Sequence, residues 1–190
     1  LVGTGEMGIG NSTTSSLILT CLTGREIDET VGMGAGLNDE MFLHKKKVIE
    51  KALNRYPGRT SDPISLLSRY GGFDIGAMTG VFLGCAFHRI PAVVDGFISG
   101  VAALLACRMN PLVKDYILLS HRSSEPGFKK KEKELGLKAP LDMKMRLGEG
   151  TGCTLMFKII DSAMAVVNHM GRLDEHDLDQ SVLVDIRGEE

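Results

Sequence analysis

The sequence predicts an α/β fold: a mostly parallel sheet with flanking helices. Two observations point there. Short apolar runs suited to strands, Leu1-Val2, Ala92-Val93-Val94-Asp95 and Tyr116 to Leu119, alternate with longer segments of helical spacing. Glycine clusters and one Ser/His loop fall where these strands give way to helices, and such junctions are where ligands bind in parallel sheets. The chain has 190 residues, enough for one domain with a real core.

The elements follow in order. Leu1-Val2 reads as the end of a strand entering the loop Gly3-Thr4-Gly5-Glu6-Met7-Gly8-Ile9-Gly10-Asn11. Ser12 to Leu22 reads as a helix, opened by a polar cluster that can cap it and closed by Thr23-Gly24. Ile27 to Val31 leads into a further cluster, Gly32-Met33-Gly34-Ala35-Gly36. Asn38 to Arg55 is a helix with Phe42, Val48, Ile49, Ala52 and Leu53 on one side, closed by Pro57-Gly58. A short helix runs from Asp62-Pro63 to Tyr70, and Gly71-Gly72-Phe73-Asp74 is a turn and cap. Ile75 to His88 reads as a buried, small-residue helix. After the strand at Pro91 to Asp95, a helix covers Gly96 to Arg108. The strand Tyr116 to Leu119 delivers Ser120-His121-Arg122-Ser123-Ser124-Glu125 to a loop. Phe128 to Leu135 reads as an exposed, Lys-rich helix. Met145 to Leu147 enters a second Gly loop, helix 151–170 follows, and Asp177 to Ile186 is a terminal segment of low regularity.

Composition narrows the function classes. Net charge is −2, from 22 basic and 24 acidic residues, so no global field favours nucleic acid or an acidic membrane. The apolar runs break well before the roughly 18 residues a membrane span needs. Cys21, Cys85, Cys107 and Cys153 lie far apart in apolar runs, which predicts buried, reduced thiols in a cytoplasmic protein. The chain opens at Leu1 inside a strand, and this predicts a piece of a longer protein.

The second loop, Met145-Arg146-Leu147-Gly148-Glu149-Gly150-Thr151-Gly152, carries the chemistry. Glycines at alternate positions let backbone N–H groups approach an anion or a sugar. Glu149 is the loop's acid–base group, and Glu6 is its counterpart in the first loop. The two loops are expected to face each other across one site. Gly3-Thr4-Gly5-Glu6-Met7-Gly8 also fits the dinucleotide pattern G-x-G-x-x-G, with Asp28 20 residues after Gly8. That reading and a plain structural turn stand beside the preferred one, a loop approaching a sugar-phosphate by its backbone. Lys45 can pair with a phosphate or simply be solvated. His121 can be a base or structural, and Ser123 and Ser124 can donate hydroxyls to phosphate oxygens. No spacing of His, Asp and Glu resembles a metal site, and no G-x-S-x-G supports serine catalysis.

Five motifs in one order resemble a known family. They are Gly5-Glu6-Met7-Gly8-Ile9-Gly10-Asn11, Val31-Gly32-Met33-Gly34-Ala35, Tyr70-Gly71-Gly72-Phe73-Asp74, Val94-Asp95-Gly96-Phe97 and Arg146-Leu147-Gly148-Glu149-Gly150-Thr151-Gly152. Together they resemble the nicotinate-nucleotide–dimethylbenzimidazole phosphoribosyltransferases over roughly Gly3 to Leu173. The resemblance implies transfer of the phosphoribosyl group of nicotinate mononucleotide to 5,6-dimethylbenzimidazole, within cobalamin lower-ligand assembly. It implies Glu149 as catalytic base and Glu6 as an active-site carboxylate. It implies a phosphate pocket at Gly8, Gly34, Lys45 and Ser123, with Leu147 and Gly148 also binding substrate. It further implies a Rossmann-like large domain over 1–173, a segment of a small helical domain over 174–190, a homodimer, and no metal or other cofactor. The sequence departs from the family at Tyr70, usually Val, and at Thr14, commonly Pro. The family's enzymes are longer at the N-terminus, so a non-catalytic nucleotide- or phosphate-binding fragment or paralogue is the alternative.

Overall fold

A computed structural model describes residues 1–34, 36–56, 60–123, 125 and 127–171. The turn expected at Pro57-Gly58, Ala35, Ser124, the segment Asp177 to Ile186 and the whole of 174–190 lie outside the described residues. The elements are β1 (Val2–Thr4), α1 (Asn11–Thr23), α2 (Ile27–Thr30), α3 (Asp39–Arg55), α4 (Pro63–Tyr70), α5 (Phe73–Phe87), β2 (Ala92–Val94), α6 (Phe97–Met109), β3 (Ile117–Leu119), α7 (Gly127–Leu135) and α8 (Thr151–His169). A 3-10 turn over Pro111–Tyr116, with Pro111 at its start and Asn110 accepting from the Leu112 N–H, joins α6 to β3. The chain divides into two units, Leu1–Phe157 and Lys158–Glu190.

The sheet is parallel, as the alternation of elements predicts, and its strand order is β1-β2-β3. Val2 pairs with Ala92 and Thr4 with Val94; Ala92 pairs with Ile117 and Val94 with Leu119. The central strand β2 is wholly buried. Side chains alternate across the sheet, so adjacent β1 residues meet different helices. Thr4 Oγ1 hydrogen-bonds Ser99 Oγ of α6 at 2.6 Å, while Gly3 lies against Cys153 and Phe157 of α8. The sheet is thus sandwiched between α6 and the first turns of α8. Helix α6 is the core: Phe97 through Ala106 are all buried, against α1, α5 and α7. Its small residues, Gly100, Ala102, Ala103 and Ala106, let neighbours pack closely.

Three expectations need correction. The Gly32–Gly36 cluster follows the helical turn α2, and the 148–152 loop follows an irregular stretch, so neither sits at a strand's end. Helix α5 is buried on one face only. Ile75, Met78, Thr79, Phe82 and Cys85 face inward at helical spacing, while Phe73, Val81 and Phe87 face outward. Helix α7 is not an exposed helix: Phe128, Lys131 and Leu135 recur at i, i+3 and i+7 and are buried. None of the four cysteines is in a disulfide; Cys21, Cys85 and Cys153 are buried and Cys107 partly so. Among the described residues, no helix is long and apolar enough to cross a membrane.

Candidate functional site

The two Gly loops are joined backbone to backbone. The Glu149 N–H donates to the Glu6 carbonyl at 3.2 Å. Gly5 lies so close that an added Cβ would sit 2.2 Å from the Gly150 nitrogen. Gly148, Glu149 and Gly150 all have positive φ, at 83°, 59° and 77°. For Glu149 that conformation costs about 1–2 kcal/mol, so neighbouring contacts must hold it. Thr151 contributes its N–H and Oγ1, both donating to the Gly148 carbonyl at 3.1 and 2.6 Å. The larger restraint is Asp95, at the end of β2. Its Oδ2 accepts the Gly150 N–H at 3.0 Å and its Oδ1 accepts the Gly152 N–H at 2.8 Å. The carboxylate therefore caps α8 from 55 residues away and spans Thr151, directly after Glu149 and Gly150.

Beside these loops is an open cleft at the carboxyl end of the sheet. Glu6, Gly8, Gly34, Ser123, Leu147 and Gly148 line it, with Ser12, Glu125 and Arg146 among their neighbours. Gly96, Phe97 and Ile98 also line it, so the start of α6 opens there, with no side-chain cap on its first N–H groups. Helix α1 starts behind Gly10, again without a side-chain cap. Such N-termini favour anions. The Glu6 carboxylate is half-buried. Burial raises its pKa above the usual value, against hydrogen bonds from Asn11 and the Gly8 N–H that lower it. Asn11 Nδ2 donates to Glu6 Oε2 at 2.7 Å and to Asp74 Oδ2 at 2.8 Å, tying α5 to the first loop.

Lys45 is buried, one hydrogen bond behind the cleft wall. Its Nζ donates to the Gly32 carbonyl at 2.8 Å and to Ser12 Oγ at 3.2 Å. A Cβ on Gly34 would lie 3.7 Å from that ammonium, so the loop's missing side chain leaves a path to it. Burial pushes the lysine pKa down, and Glu125 pulls it back up. His121 is buried against the cleft, its Nδ1 3.0 Å from Ser120 Oγ and 3.7 Å from Asp95 Oδ1. Burial lowers its pKa, with Asp95 opposing and Lys131 reinforcing. Cys153 Sγ donates to the Thr4 and Val93 carbonyls, and burial pushes its thiol up to about 12, so it is inert.

The structure thus places six of the expected residues around one cleft and Lys45 just behind it. Glu149 differs: its backbone is locked to Glu6, while its exposed side chain stands beside the cleft rather than lining it. Gly3 and Gly5 serve to admit α8 and the second loop, which is the packing use of the G-x-G pattern. Sequence reasoning missed Asp95, Asn11 and Arg146. For Asp95 a signal existed: a carboxylate between a β-branched strand and a glycine, at a strand's carboxyl end. Among the described residues, no group of three or more His, Cys, Asp or Glu could hold a metal ion.

Known proteins extend the picture. A phosphoribosyltransferase family profile matches residues 1–177. A Clostridium perfringens protein named nicotinate-nucleotide–dimethylbenzimidazole phosphoribosyltransferase is 52% identical over all 190 residues, which cover 53% of that protein. The Clostridium acetobutylicum protein of the same name is 50% identical over 94% of this chain and 51% of its own length. The crystal structure of CobT from Thermus thermophilus superposes with a TM-score of 0.86 at 34% identity, over 94% of this chain and 53% of that one. The chain spans about half the length of the curated relatives it matches. With the profile covering nearly all of it, this chain belongs to the phosphoribosyltransferase family.

Proposed function

We propose that this protein moves the phosphoribosyl group of nicotinate mononucleotide to 5,6-dimethylbenzimidazole, giving α-ribazole 5′-phosphate and nicotinate. The observation that carries the reading is the fused pair of carboxylate-bearing loops beside a cleft onto which a helix N-terminus opens. The names of the relatives supply the substrates. An azole nitrogen uses its lone pair to attack the ribose C1′. The bond from C1′ to the nicotinate nitrogen breaks, and its electrons return to the pyridine ring. Glu149 takes the azole N–H proton as the new bond forms. Glu6 stabilises the positive charge that develops on the sugar. The 5′-phosphate fixes the ribose against Gly8, Gly34, Ser123 and the Lys45 ammonium, and Leu147 and Gly148 flank the sugar.

The test uses the full-length protein with both substrates and detects α-ribazole 5′-phosphate. Glu149→Gln should lower turnover by about 10²–10⁴-fold, the range for a general base. Equal rates for the variant and the wild type would remove Glu149 from that role. The exposed Glu149 side chain supports one rival, a nucleotide-binding module; it predicts calorimetric binding without product.

The wider organisation belongs to the same reading. Residues 1–173 form the large α/β domain and 174–190 contribute to a small helical domain. The protein is a homodimer in the cytoplasm. Support for the dimer comes from the outward face of α5, where Phe73 and Phe87 are exposed beside Gly80. Support for the compartment comes from four cysteines of which none is in a disulfide.

A further inference from the structure

Two charged side chains are sealed beneath the Glu149 loop: Asp95 is 1% exposed and Lys131 is 0% exposed. A carboxylate with no water around it needs both hydrogen bonds and a counter-charge. The hydrogen bonds come from the Gly150 and Gly152 N–H groups. The counter-charge is the open question. His121 is the near candidate at 3.7 Å, but burial favours its neutral form and its Nδ1 faces the Ser120 hydroxyl. Lys131 reaches in from α7. Its stem runs along α6 where Gly100 has no side chain: an added Cβ would lie 2.1 Å from Lys131 Cδ and 2.3 Å from Nζ. The ammonium ends 3.5 Å from the carbonyl of Gly96, the residue next to Asp95, and 3.8 Å from the centre of the Phe128 ring.

We propose that Lys131 is a positioning residue: its ammonium is the counter-charge of the Asp95 carboxylate, which then keeps both oxygens on the Gly150 and Gly152 N–H groups and so holds Glu149 in its left-handed turn. Three features carry this. The glycine at 100 makes a channel that the lysine stem fills. Burial drops the pKa of the ammonium to about 7, against Glu132 and then Asp95, which both favour its charged form. Other charges near α7 have partners of their own: Glu132, which also acts on Lys131, accepts the Ala139 N–H at 2.8 Å and lies 3.9 Å from Arg122. Glu29 of α2 is held by Lys130 at 2.6 Å and Arg25 at 3.5 Å, Asp28 of α2 by Lys46 at 2.7 Å, and Arg108 of α6 by Glu134 at 2.8 Å. The consequence for catalysis rests on the role proposed for Glu149; the holding of the loop does not.

The test reads the loop without substrate. In the full-length protein, the amide proton shifts of Gly150 and Gly152 are followed by NMR as pH is lowered. Loss of the buried cation should move the acid-induced change of both amides upward by at least about one pH unit in Lys131→Met, roughly tenfold in proton affinity. Lys130→Met, whose lysine pairs with Glu29, should leave that change where it is. A purely structural role for Lys131 would perturb the amides without moving the pH of their change, and that result overturns the proposal. A second measurement decides the matter if Lys131→Met does not fold. In the wild type, the Asp95 carboxyl carbon should show a pH step coincident with that of Lys131 Cε, and absence of the step overturns the proposal. Both readings stand whatever the protein's turnover proves to be.

Discussion

A methyl group at position 152 has no room: it would meet His121 Nδ1 at 2.1 Å, Asp95 Oδ1 at 2.6 Å and Ser120 Oγ at 2.6 Å. Gly152→Ala should therefore destabilise the protein by about 1–3 kcal/mol, as overpacking does, and should show as a lowered Tm in thermal unfolding. Lys45 allows a prediction with a sign. Its folded pKa lies below the ordinary lysine value because it is buried, so its charge is lost as pH rises through that lowered value. If this ammonium attracts the 5′-phosphate, nucleotide affinity declines on the alkaline side before free lysine titrates, and Lys45→Met lacks the decline; calorimetry across pH reads both. These residues differ in how far the sequence exposes them. Glu6 and Glu149 stand out because each is the carboxylate of a Gly-rich loop. Asp95 offers only its place after a strand; its two donors lie 55 and 57 residues on, and only the fold brings them near.

Helix α7 shows what periodicity hides. Phe128, Lys131 and Leu135 lie on one face, and the face is buried although its middle member is charged. Read as Lys-Lys-Lys, the segment looks solvated; read by spacing, it is an inward stripe with a cation in it. Phe128 is fully buried at this contact, so Phe128→Ala should cost about 3–5 kcal/mol in denaturant unfolding. Helix α5 is the converse. Its glycines and alanines suggest burial all round, but the large side chains set the buried face and Phe73 and Phe87 fall outside it. Strands β2 and β3 were legible as short apolar runs bounded by polar residues and turns. Helix α2 was not, because four residues carry too little periodicity to separate a turn from a strand.

For the molecule as a whole, the buried lysine sets a pH dependence of stability. Lys131 has a folded pKa of about 7 against an ordinary value of 10.5. Between these the unfolded chain holds the proton that the folded chain has released, so stability rises with pH across that window. Below it both states are charged and the burial penalty is fully felt. Urea unfolding from about pH 7 to about pH 10 should show this rise, and Lys131→Met should flatten it. The parallel character of the sheet was legible from the alternation of elements; its strand order was not. The pairing of the first and last Gly loops was legible only as an expectation from their matching chemistry, since some 140 residues separate Glu6 from Glu149.

The seam between those loops has a mechanical consequence. With Gly5 pressed on Gly150 and the Glu149 amide hooked to the Glu6 carbonyl, moving either strip alone costs that contact and that hydrogen bond. Asp95 anchors the seam from below. A displacement of the amino-terminal strip therefore bears directly on the Glu149 backbone, with no intervening residue to absorb it.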